Sequence, residues 1–471
     1  MQEVALPELS PAPFHDLMDA AAWEEFSATV EDVRPQLRGS TLWHVNSTAR
    51  GGGVAEMLQS VLCYLVGAGI DTRWLVIDGG PEFFQLTKRM HNLLHGSSGD
   101  GGALGDPEMT AYEQALAPNA QWLEDHLRPG DMVVLHDPQA LGLTPSLCRL
   151  GTPVIWSCHV GVDRANSQTR AAWTQLLPYA ELAARCVFSR AEYAWEGLSQ
   201  HQVAVIPPCL DAFSPKNQCL APGQVAAILS RAGLLAAKST SAARFQRQDG
   251  SRAEVTSRAT MTEDDQVPED APLVSQISRW DPLKDHLGVM TAFTEHVPAD
   301  LGAHLILAGP DPGAVADDPS GQSTHEELCS AWEHLPKASR RRVHLACLPM
   351  DDLEQNAAIV NALQRRSQVV AQKSIAEGFG LTVAEAMWKG RAVVGSRLGG
   401  IQDQIEDGRS GALIGDPHDL AAFGEAVTRL LRDEREAGRM GEQARRRVRQ
   451  EYLAPRYLGR YLSLLGSLLE A

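Results

Sequence analysis

The sequence predicts an α/β fold with two domains, each built around a mostly parallel sheet. Three observations carry this prediction. The chain has 471 residues, 44% of them hydrophobic, which is enough for two domains with sizeable cores. Short apolar runs typical of buried strands alternate with helical patterns along most of the chain. A Pro-Pro pair at Pro207–Pro208, followed by LDAFSPKN, is typical of a hinge between two such domains.

The first domain is predicted over residues 41–208, after a lead-in. Residues 1–40 are acidic and punctuated by proline, with a helical pattern at Ala20–Val33, so they are expected to pack on this domain or to fray. From Thr41 a strand, a glycine loop, a helix and a second strand follow in order. The strands that complete the sheet are predicted at the runs DMVVLH, TPVIWSCH, ARCVFS and VAVIPP.

Three glycines, Gly51, Gly52 and Gly53, form the loop between the first strand and the first helix of this domain. Glycine allows the backbone to come close to a ligand. The loop lacks the G-x-G-x-x-G spacing and the acidic residue that are typical of a dinucleotide site, so a dehydrogenase is disfavoured.

Polar side chains follow two predicted strands of the first domain at their carboxyl ends, where functional groups of parallel sheets collect. They are His136, Asp137 and His159. A single histidine at a strand end is more often structural, but two on different strands of one edge favour a functional role. We expect His159 and the nearby Asp163 and Arg164 to line a pocket for an acceptor substrate.

An amphipathic helix is predicted at Phe83–Gly96, with Lys88 and Asn92 four residues apart on one face. These two side chains are further candidates for the acceptor pocket. An ordinary surface helix explains the pattern equally well, and both interpretations stay open.

The second domain is predicted over residues 209–450, and its sheet begins with the strand PLVSQIS. Arg279 follows this strand and Lys284 lies on the next turn. Two cations at the carboxyl edge of a strand can neutralise a diphosphate, both when it is bound and as it leaves with negative charge developing. Surface ion pairs are the alternative. Residues 451–471 are expected to form a helix that crosses back to the first domain.

An insertion of low complexity is predicted at about residues 238–270. The part from Arg244 to Asp270 has few large apolar residues, so it is expected to be disordered or loosely ordered, because it offers little apolar surface to offset the entropy lost on ordering. A regulatory or oligomeric role is conceivable for it, and an inert insertion is favoured.

The stretch Ala371–Gly390 combines two carboxylates with a glycine turn and a helix start. A strand is predicted to end at Ala371, and a helix to run from Leu381 to Lys389. A helix that begins after a glycine turn directs free N–H groups and the positive end of its dipole at one point, which suits a phosphate. Glu377 in the loop and Glu385 in the helix can accept bonds from hydroxyl groups. On spacing alone, two solvated glutamates are equally favoured.

The pattern E-G-F-G-L-T-x-x-E-A-M at Glu377–Met387 resembles the paired-glutamate motif of the family 4 retaining glycosyltransferases. That family has the GT-B fold, with two Rossmann-like domains facing across a cleft. Four further segments make the chain similar to the trehalose glycosyltransferring synthase branch of the family: HVNSTARGGGVAEML, HDPQ, KN at Lys216–Asn217 and SRWDPLKD. The chain departs from the pattern at Lys373 and Ala376, where some members of this branch carry other residues.

The resemblance implies a role for each candidate residue. Glu377 lies by the donor sugar, Glu385 binds the ribose of the nucleotide, and His136 orients the sugar near its anomeric carbon. Arg279 and Lys284 stabilise the departing diphosphate. The backbone that approaches the donor belongs to Gly52, Gly53, Gly378, Phe379, Gly380 and Leu381.

The reaction that the resemblance implies is retaining transfer of glucose from a nucleoside diphosphate glucose to glucose, which forms trehalose. The departing diphosphate helps to deprotonate the acceptor on the same face. No cofactor is required, and Mg²⁺ could accompany the donor without being bound by the protein. Two alternatives are transfer to another sugar, a cyclitol or a secondary metabolite, and a non-catalytic nucleotide-sugar-binding protein. A phosphorylase of the pyridoxal phosphate type is disfavoured because its lysine motif is missing. UDP, ADP and GDP are not distinguished.

The composition of the chain limits the classes of partner that the protein is expected to bind. The net charge of −17 disfavours nucleic acid. No signal peptide and no apolar run of membrane-spanning length is found, so a cytoplasmic protein is expected. The eight cysteines lack the spacing of a zinc site or a disulfide framework. The expected partners are therefore a sugar donor and a sugar acceptor, and a homodimer is a further expectation.

Overall fold

The structure, a computed structural model, describes residues 1–49, 52–236, 241–314 and 319–470. Gly51 and the first residues of the predicted insertion, 238–240, lie outside the described residues. The chain divides into two compact units: Met1–Cys209 with Tyr452–Ala471, and Leu210–Glu451. The boundary between the units lies between Cys209 and Leu210, one residue after Pro207–Pro208.

A seven-stranded sheet forms the centre of the first unit. Its strands are β1 (Gln2–Val4), β2 (Leu42–Asn46), β3 (Thr72–Val76), β4 (Met132–His136), β5 (Val154–Cys158), β6 (Arg185–Phe188) and β7 (Val203–Val205). They lie in the order β1-β3-β2-β4-β5-β6-β7. All neighbours are parallel except β1, which pairs antiparallel with β3. Every residue of β2, β4 and β5 is buried, as the continuous apolar runs predict for strands that are covered on both faces.

The connections of the first sheet are mainly helical. The helices are α1 (Ala20–Gln36), α2 (Gly53–Gly67), α3 (Pro81–Leu94), α4 (Asp106–His126), α5 (Asp137–Leu141), α6 (Thr144–Arg149) and α7 (Ser167–Ala180). The helical pattern at Ala20–Val33 is confirmed by α1, which buries Phe26 and Val33. The lead-in is therefore ordered, since its first residues also add β1 to the sheet.

A second seven-stranded sheet organises the other unit. The strands of this unit are β8 (Arg244–Gln246), β9 (Arg252–Glu254), β10 (Thr260–Thr262), β11 (Leu273–Ile277), β12 (His304–Pro310), β13 (Val343–Leu348), β14 (Val369–Gln372), β15 (Ala392–Ser396) and β16 (Ala412–Ile414). The sheet has the order β10-β13-β12-β11-β14-β15-β16, and only β10 runs antiparallel to its neighbour.

Helices again connect these strands. They are α8 (Pro222–Ala232), α9 (His286–His296), α10 (Pro319–Glu333), α11 (Lys337–Arg340), α12 (Leu353–Arg366), α13 (Leu381–Trp388), α14 (Gly399–Gln404), α15 (Leu420–Arg432) and α16 (Glu434–Glu451). The last helix, α17 (Ala454–Leu469), belongs to the first unit, where it packs against α1. No helix among the described residues has the length and apolar character needed to cross a membrane.

The expectation of a loosely ordered segment at Arg244–Asp270 is wrong. β8 and β9 pair as an antiparallel hairpin, and β10 extends the main sheet by pairing with β13. Phe245, Val255 and Val267 bury their side chains in the apolar core beside α8 and α12. Although the segment contains few large apolar residues, these three are buried, and that burial offsets the cost of ordering.

In each sheet, the order in which successive strands are added reverses at one strand, the switch strand. In the first unit β2 lies between β3 and β4, and in the second β11 lies between β12 and β14. The second arrangement is the 3-2-1-4-5-6 order of dinucleotide-binding folds. In open α/β sheets, ligands bind outside the carboxyl ends of the strands at such a switch point. A ligand site is therefore expected at the loops that follow β2, β4, β11 and β14.

Candidate active site

In the second unit, the loops that follow β11 and β14 lie against each other. The two strands are hydrogen-bonded neighbours, with Val274 opposite Val369. Beyond them, the backbone N–H of Ile375 donates to the carbonyl oxygen of Leu283 (2.8 Å). Two stretches that are distant in sequence are thereby held together at the switch point.

Gln276, in β11, fixes both loops with one side chain. Its amide N–H donates to the carbonyl oxygen of Lys284 (2.7 Å), and its amide oxygen accepts from the backbone N–H of Lys373 (3.1 Å). Gln276 is fully buried. A buried amide with both ends bonded rigidifies its surroundings. Sequence reasoning missed this residue, although a glutamine within an otherwise apolar strand is a signal that could have found it.

Lys284 and Glu377, predicted separately, form an ion pair at this point. The Lys284 ammonium lies 2.7 Å from Glu377 Oε2, and the two side chains are 16% and 10% exposed. The same oxygen accepts from the Ser374 hydroxyl (3.1 Å) and from the Gln372 amide (3.3 Å). The carboxylate is therefore oriented by three donors. Gln372 and Ser374 were also missed, although Gln372 ends the buried strand β14 and Ser374 lies two residues beyond it.

Arg279 lies in the same loop as Lys284, directly after β11. Its guanidinium is 3.6 Å from the Asp281 carboxylate, and its side chain is 37% exposed. The neighbouring Trp280 is buried and donates to the carbonyl oxygen of Pro310 (2.7 Å), which anchors this part of the loop. Arg279 therefore offers a cation on an anchored backbone, beside the Lys284–Glu377 pair along the chain.

The glycine turn before α13 has the predicted geometry. Gly380 precedes the helix with φ of +82°, a left-handed conformation that favours glycine. The turn packs closely on α14, because a Cβ on Gly400 would lie 2.6 Å from the Cα of Phe379. The Gln404 amide donates to the Phe379 carbonyl oxygen (2.6 Å), and the Gly400 N–H donates to that of Gly378 (2.9 Å).

Helix α13 starts at Leu381, directly after this turn. Its first N–H groups therefore lie in the connection that follows β14, the strand next to the switch strand β11. The Val383 N–H donates to the Gly380 carbonyl oxygen (2.9 Å), whereas the N–H groups of Leu381 and Thr382 precede the first helical hydrogen bond. Backbone donors at this position, with Lys284 on the adjoining loop, can bind an anionic group. The sequence-based prediction of a phosphate site at this turn is consistent with that geometry.

Glu385 lies in α13 and is nearly buried. Its Oε1 is 3.2 Å from the Lys216 ammonium, and its side chain is 4% exposed. Its other oxygen, Oε2, is buried without a hydrogen-bond partner among the described residues. Buried carboxylate oxygens without a donor are costly. An arriving hydroxyl group would satisfy this one.

The K-N dipeptide explains why Glu385 and Lys216 meet. Asn217 accepts from the Lys389 ammonium with its side-chain oxygen (2.9 Å) and from the Trp388 indole with its carbonyl oxygen (3.1 Å). The C-terminal end of α13 is therefore fixed to residues at the start of the unit. Sequence reasoning named the dipeptide but did not assign Lys216 to Glu385.

In the first unit, three buried histidines cluster at neighbouring strands: His44 lies in β2, His136 ends β4, and His159 directly follows β5. The rings of His44 and His136 stack at 5.3 Å and those of His136 and His159 at 6.0 Å, and His44 Nδ1 lies 3.0 Å from His136 Nε2. Burial lowers the pKa of all three, to about 3 for His44 and well below the usual range for His136. They are therefore neutral at physiological pH. His136 Nδ1 has no partner among the described residues.

Asp137 holds His159 in this group. Its carboxylate accepts the backbone N–H of His159 (2.7 Å), and burial raises its pKa. The His159 ring lies 3.3 Å from the hydroxyls of Ser157 and Ser189. The two histidines that were predicted on one edge are thus brought together, in an environment shielded from water.

The other candidates of the first unit are more scattered. Gly52 and Gly53 are exposed at the start of α2; Gly52 has φ of +79° and open space where a Cβ would be. Asp163 forms an ion pair with the buried Arg190. Lys88 and Asn92 are half-buried in α3. Among the described residues, no group of three or more metal-ligating side chains could hold a metal ion.

Two family descriptions match the chain. Residues 44–195 match the family described as trehalose synthase, N-terminal domain, and residues 257–447 match glycosyl transferases group 1. Trehalose synthase of Pyrococcus horikoshii is 32% identical over 447 residues, and that of Rubrobacter xylanophilus 33% over 459 residues, with 94% of each chain covered in both cases. Trehalose phosphorylase of Grifola frondosa is 28% identical over 89% of this chain but only 57% of its own length.

Solved structures give the fold. A trehalose-phosphate synthase from Burkholderia vietnamiensis matches with a TM-score of 0.66 at 15% identity, over 92% of this chain and 99% of its own. Anabaena HepE in complex with UDP and glucose matches with a TM-score of 0.61 at 16% identity, over 91% and 100%. These neighbours have the GT-B fold, so the fold class predicted from the sequence is confirmed.

Proposed function

Because this chain belongs to the trehalose synthase family of glycosyltransferases, we propose that it transfers glucose from a nucleoside diphosphate glucose to free glucose, with retention, to form trehalose. The enzyme class follows from the family. Donor, acceptor and stereochemistry are the proposal. The observation that carries it is the junction of Lys284, Glu377 and the start of α13 at the switch point of the second sheet.

The donor's diphosphate fits that junction. The N–H groups at the start of α13 and the cations Lys284 and Arg279 supply the positive charge that a diphosphate requires. Because charge builds up on the diphosphate as the sugar leaves, cations held in place before the reaction stabilise the transition state more than the ground state. No metal ion or other cofactor is needed in this proposal.

The two glutamates recognise different parts of the donor, Glu377 the sugar and Glu385 the ribose. Glu377, held by three donors, accepts bonds from hydroxyl groups of the donor sugar. Glu385 accepts from the ribose hydroxyls through its unpartnered buried oxygen. A ligand lacking those hydroxyls would leave that oxygen unsatisfied, and sites built in this way discriminate strongly against such analogues.

The proposed mechanism is front-face transfer. The departing diphosphate accepts the proton of the acceptor hydroxyl on the face from which it leaves, so retention requires no protein nucleophile. In the first unit, the neutral His136 would orient the sugar through its Nδ1, which has no partner among the described residues. His159 and Asp163 are proposed for the acceptor. Other acceptors remain the alternative proposal.

Product analysis tests the proposal directly. The protein is incubated with UDP-, ADP- or GDP-glucose, each with and without glucose, and products are identified by mass spectrometry and NMR. We expect an α,α-linked disaccharide only when donor and acceptor are both present. The Lys284→Ala variant should lower the rate by on the order of 10²-fold, because it removes one group that stabilises the leaving charge.

Three outcomes would contradict the proposal. Donor consumption with a product other than an α,α-linked disaccharide would assign a different acceptor. No consumption of any donor would refute transfer from these nucleotides. Release of glucose phosphate from trehalose and inorganic phosphate, without any nucleotide, would identify a phosphorylase instead.

A further inference from the structure

Four charged side chains connect the two loops of the candidate site in a crossed pattern. Lys284 and its neighbour Asp285 lie after β11, and Lys373 and Glu377 lie after β14. Lys284 pairs with Glu377, and Lys373 pairs with Asp285. Each lysine therefore binds the carboxylate of the other loop.

Lys373 is an unusual member of this set because its side chain is fully buried. Burying an ammonium group is costly unless a carboxylate neutralises it. Asp285 does so, and its own side chain is only 17% exposed. The buried ammonium of Lys373 therefore depends on Asp285 for its neutralisation.

The backbone at Asp285 is held in a conformation that its own sequence disfavours. Asp285 has φ of +51°, a left-handed value that residues other than glycine adopt only where surrounding contacts impose it. Its carboxylate also accepts from the N–H of Gly288 (3.1 Å) and so caps α9. A Cβ on Gly288 would lie 2.1 Å from this carboxylate, so a side chain at that position would displace the Asp285 carboxylate. The surroundings thus fix Asp285 in place directly after Lys284.

We infer that Lys373 is a positioning residue for the transfer reaction: by neutralising Asp285, it leaves Lys284 directed to Glu377 and to the donor's diphosphate. The inference rests on the proposed function. Without Lys373, the carboxylate next to Lys284 in the chain would have no partner from the β14 loop. It would then compete with Glu377 and with the diphosphate for the Lys284 ammonium.

A purely structural role for the pair makes a different prediction. If Lys373 only stabilises the fold, its loss lowers stability, and kcat of the protein that remains folded stays unchanged. If it positions Lys284, its loss lowers kcat, and this effect disappears when Lys284 itself is absent. Coupling of this kind is measured by a double-mutant cycle.

The experiment compares kcat and donor KM for wild type, Lys373→Met, Lys284→Ala and the double variant Lys373→Met/Lys284→Ala. We expect Lys373→Met to lower kcat by about 10- to 100-fold, the range expected when a catalytic group is displaced by about 1 Å. In the Lys284→Ala background the same change should have little further effect. An equal loss in both backgrounds, or no loss in either, would overturn the inference.

Two further variants keep the test decisive. Lys373→Met/Asp285→Gly removes both buried charges and relieves the left-handed backbone, so it should fold and recover most of the lost kcat. Failure of this variant to recover kcat in a folded state would contradict the proposed competition. Arg340→Met breaks an ion pair with Asp264 that lies outside the candidate site and is more exposed than the Lys373–Asp285 pair, and it should leave kcat unchanged.

A readout that does not depend on the reaction separates this inference from the proposed function. Absence of transfer by the wild type would refute the proposed function alone. Hydrogen exchange then still reports on the loops: in Lys373→Met, the N–H of Ile375, which bonds to Leu283, should exchange faster than in the wild type. Unchanged exchange there would overturn the inference.

Discussion

The hairpin formed by β8 and β9 is expected to be needed for the stability of the second unit, and Phe245 offers the sharpest test. Its side chain is buried in the core beside α8 and α12. Replacing a buried phenylalanine by alanine costs about 3–5 kcal/mol, from lost transfer free energy and from the cavity that remains. Since domains are stable by only about 5–15 kcal/mol, Phe245→Ala should remove a large share of the free energy of unfolding.

A matched control lies one residue earlier in the same strand. The Arg244 side chain is 64% exposed and pairs with Glu254, which is also largely exposed. Exposed pairs contribute about 0–1 kcal/mol, so Arg244→Ala should change stability little. The two variants therefore probe opposite faces of one strand.

Urea unfolding followed by tryptophan fluorescence measures the difference, with Trp332 and Trp388 reporting on the second unit. Phe245→Ala should lower the unfolding midpoint clearly, whereas Arg244→Ala should leave it near that of the wild type. Equal midpoints for the two variants would refute the reasoning. Burial of Phe245 in the hairpin would then contribute little to the free energy of unfolding of the second unit.

Two further predictions follow from the site and from the buried histidines. Glu385→Gln should raise the KM for the nucleotide donor by about 10-fold or more, because it weakens an acceptor for the ribose hydroxyls; an unchanged KM in a donor titration would remove Glu385 from the nucleotide site. Burial lowers the pKa of His44 and His286 to about 3, below their value of about 6.5 in the unfolded chain. Between these two pH values the unfolded state binds more protons than the native state. The native state therefore loses stability as the pH falls from 6.5 towards 3. Urea midpoints at pH 7.5 and 5.0 should show this loss, and it should be smaller in His286→Gln; equal midpoints at the two pH values would contradict it.

Local signals in the sequence were sufficient for the elements that carry the candidate site. The apolar run predicted to end at Ala371 forms the strand Val369–Gln372, the turn contains Gly378 and Gly380, and the helix starts at Leu381 as predicted. Strand, loop and helix could therefore be predicted from residues that lie close together in the sequence. The residue types alone could not give the order of the strands. That order places β11 beside β14, and it brings Lys284 to Glu377.

The errors have a physical origin of the same kind. β8, β9 and β10 have three residues each, which is too short for a periodic pattern to be recognised. They are ordered by partners that are distant in sequence: Phe245 packs in the core beside α8 and α12, and Arg247 lies 2.5 Å from both Asp352 and Glu354 at the start of α12. Composition cannot report such a contact, and so a segment with few apolar residues was mistaken for a loose one.

Backbone strain marks the same edge in both units, without reference to any relative. Among the described residues, the two with positive φ that are not glycine are Asp137, at +58°, and Asp285, at +51°. Asp137 directly follows β4, beside the switch strand β2, and Asp285 lies in the loop that follows the switch strand β11. Such conformations persist only where surrounding contacts impose them, and they cluster at functional sites. Here the contacts are the His159 N–H for Asp137 and the Lys373 ammonium for Asp285, so each strained aspartate is held by a residue from the next strand of its sheet or from the loop after that strand.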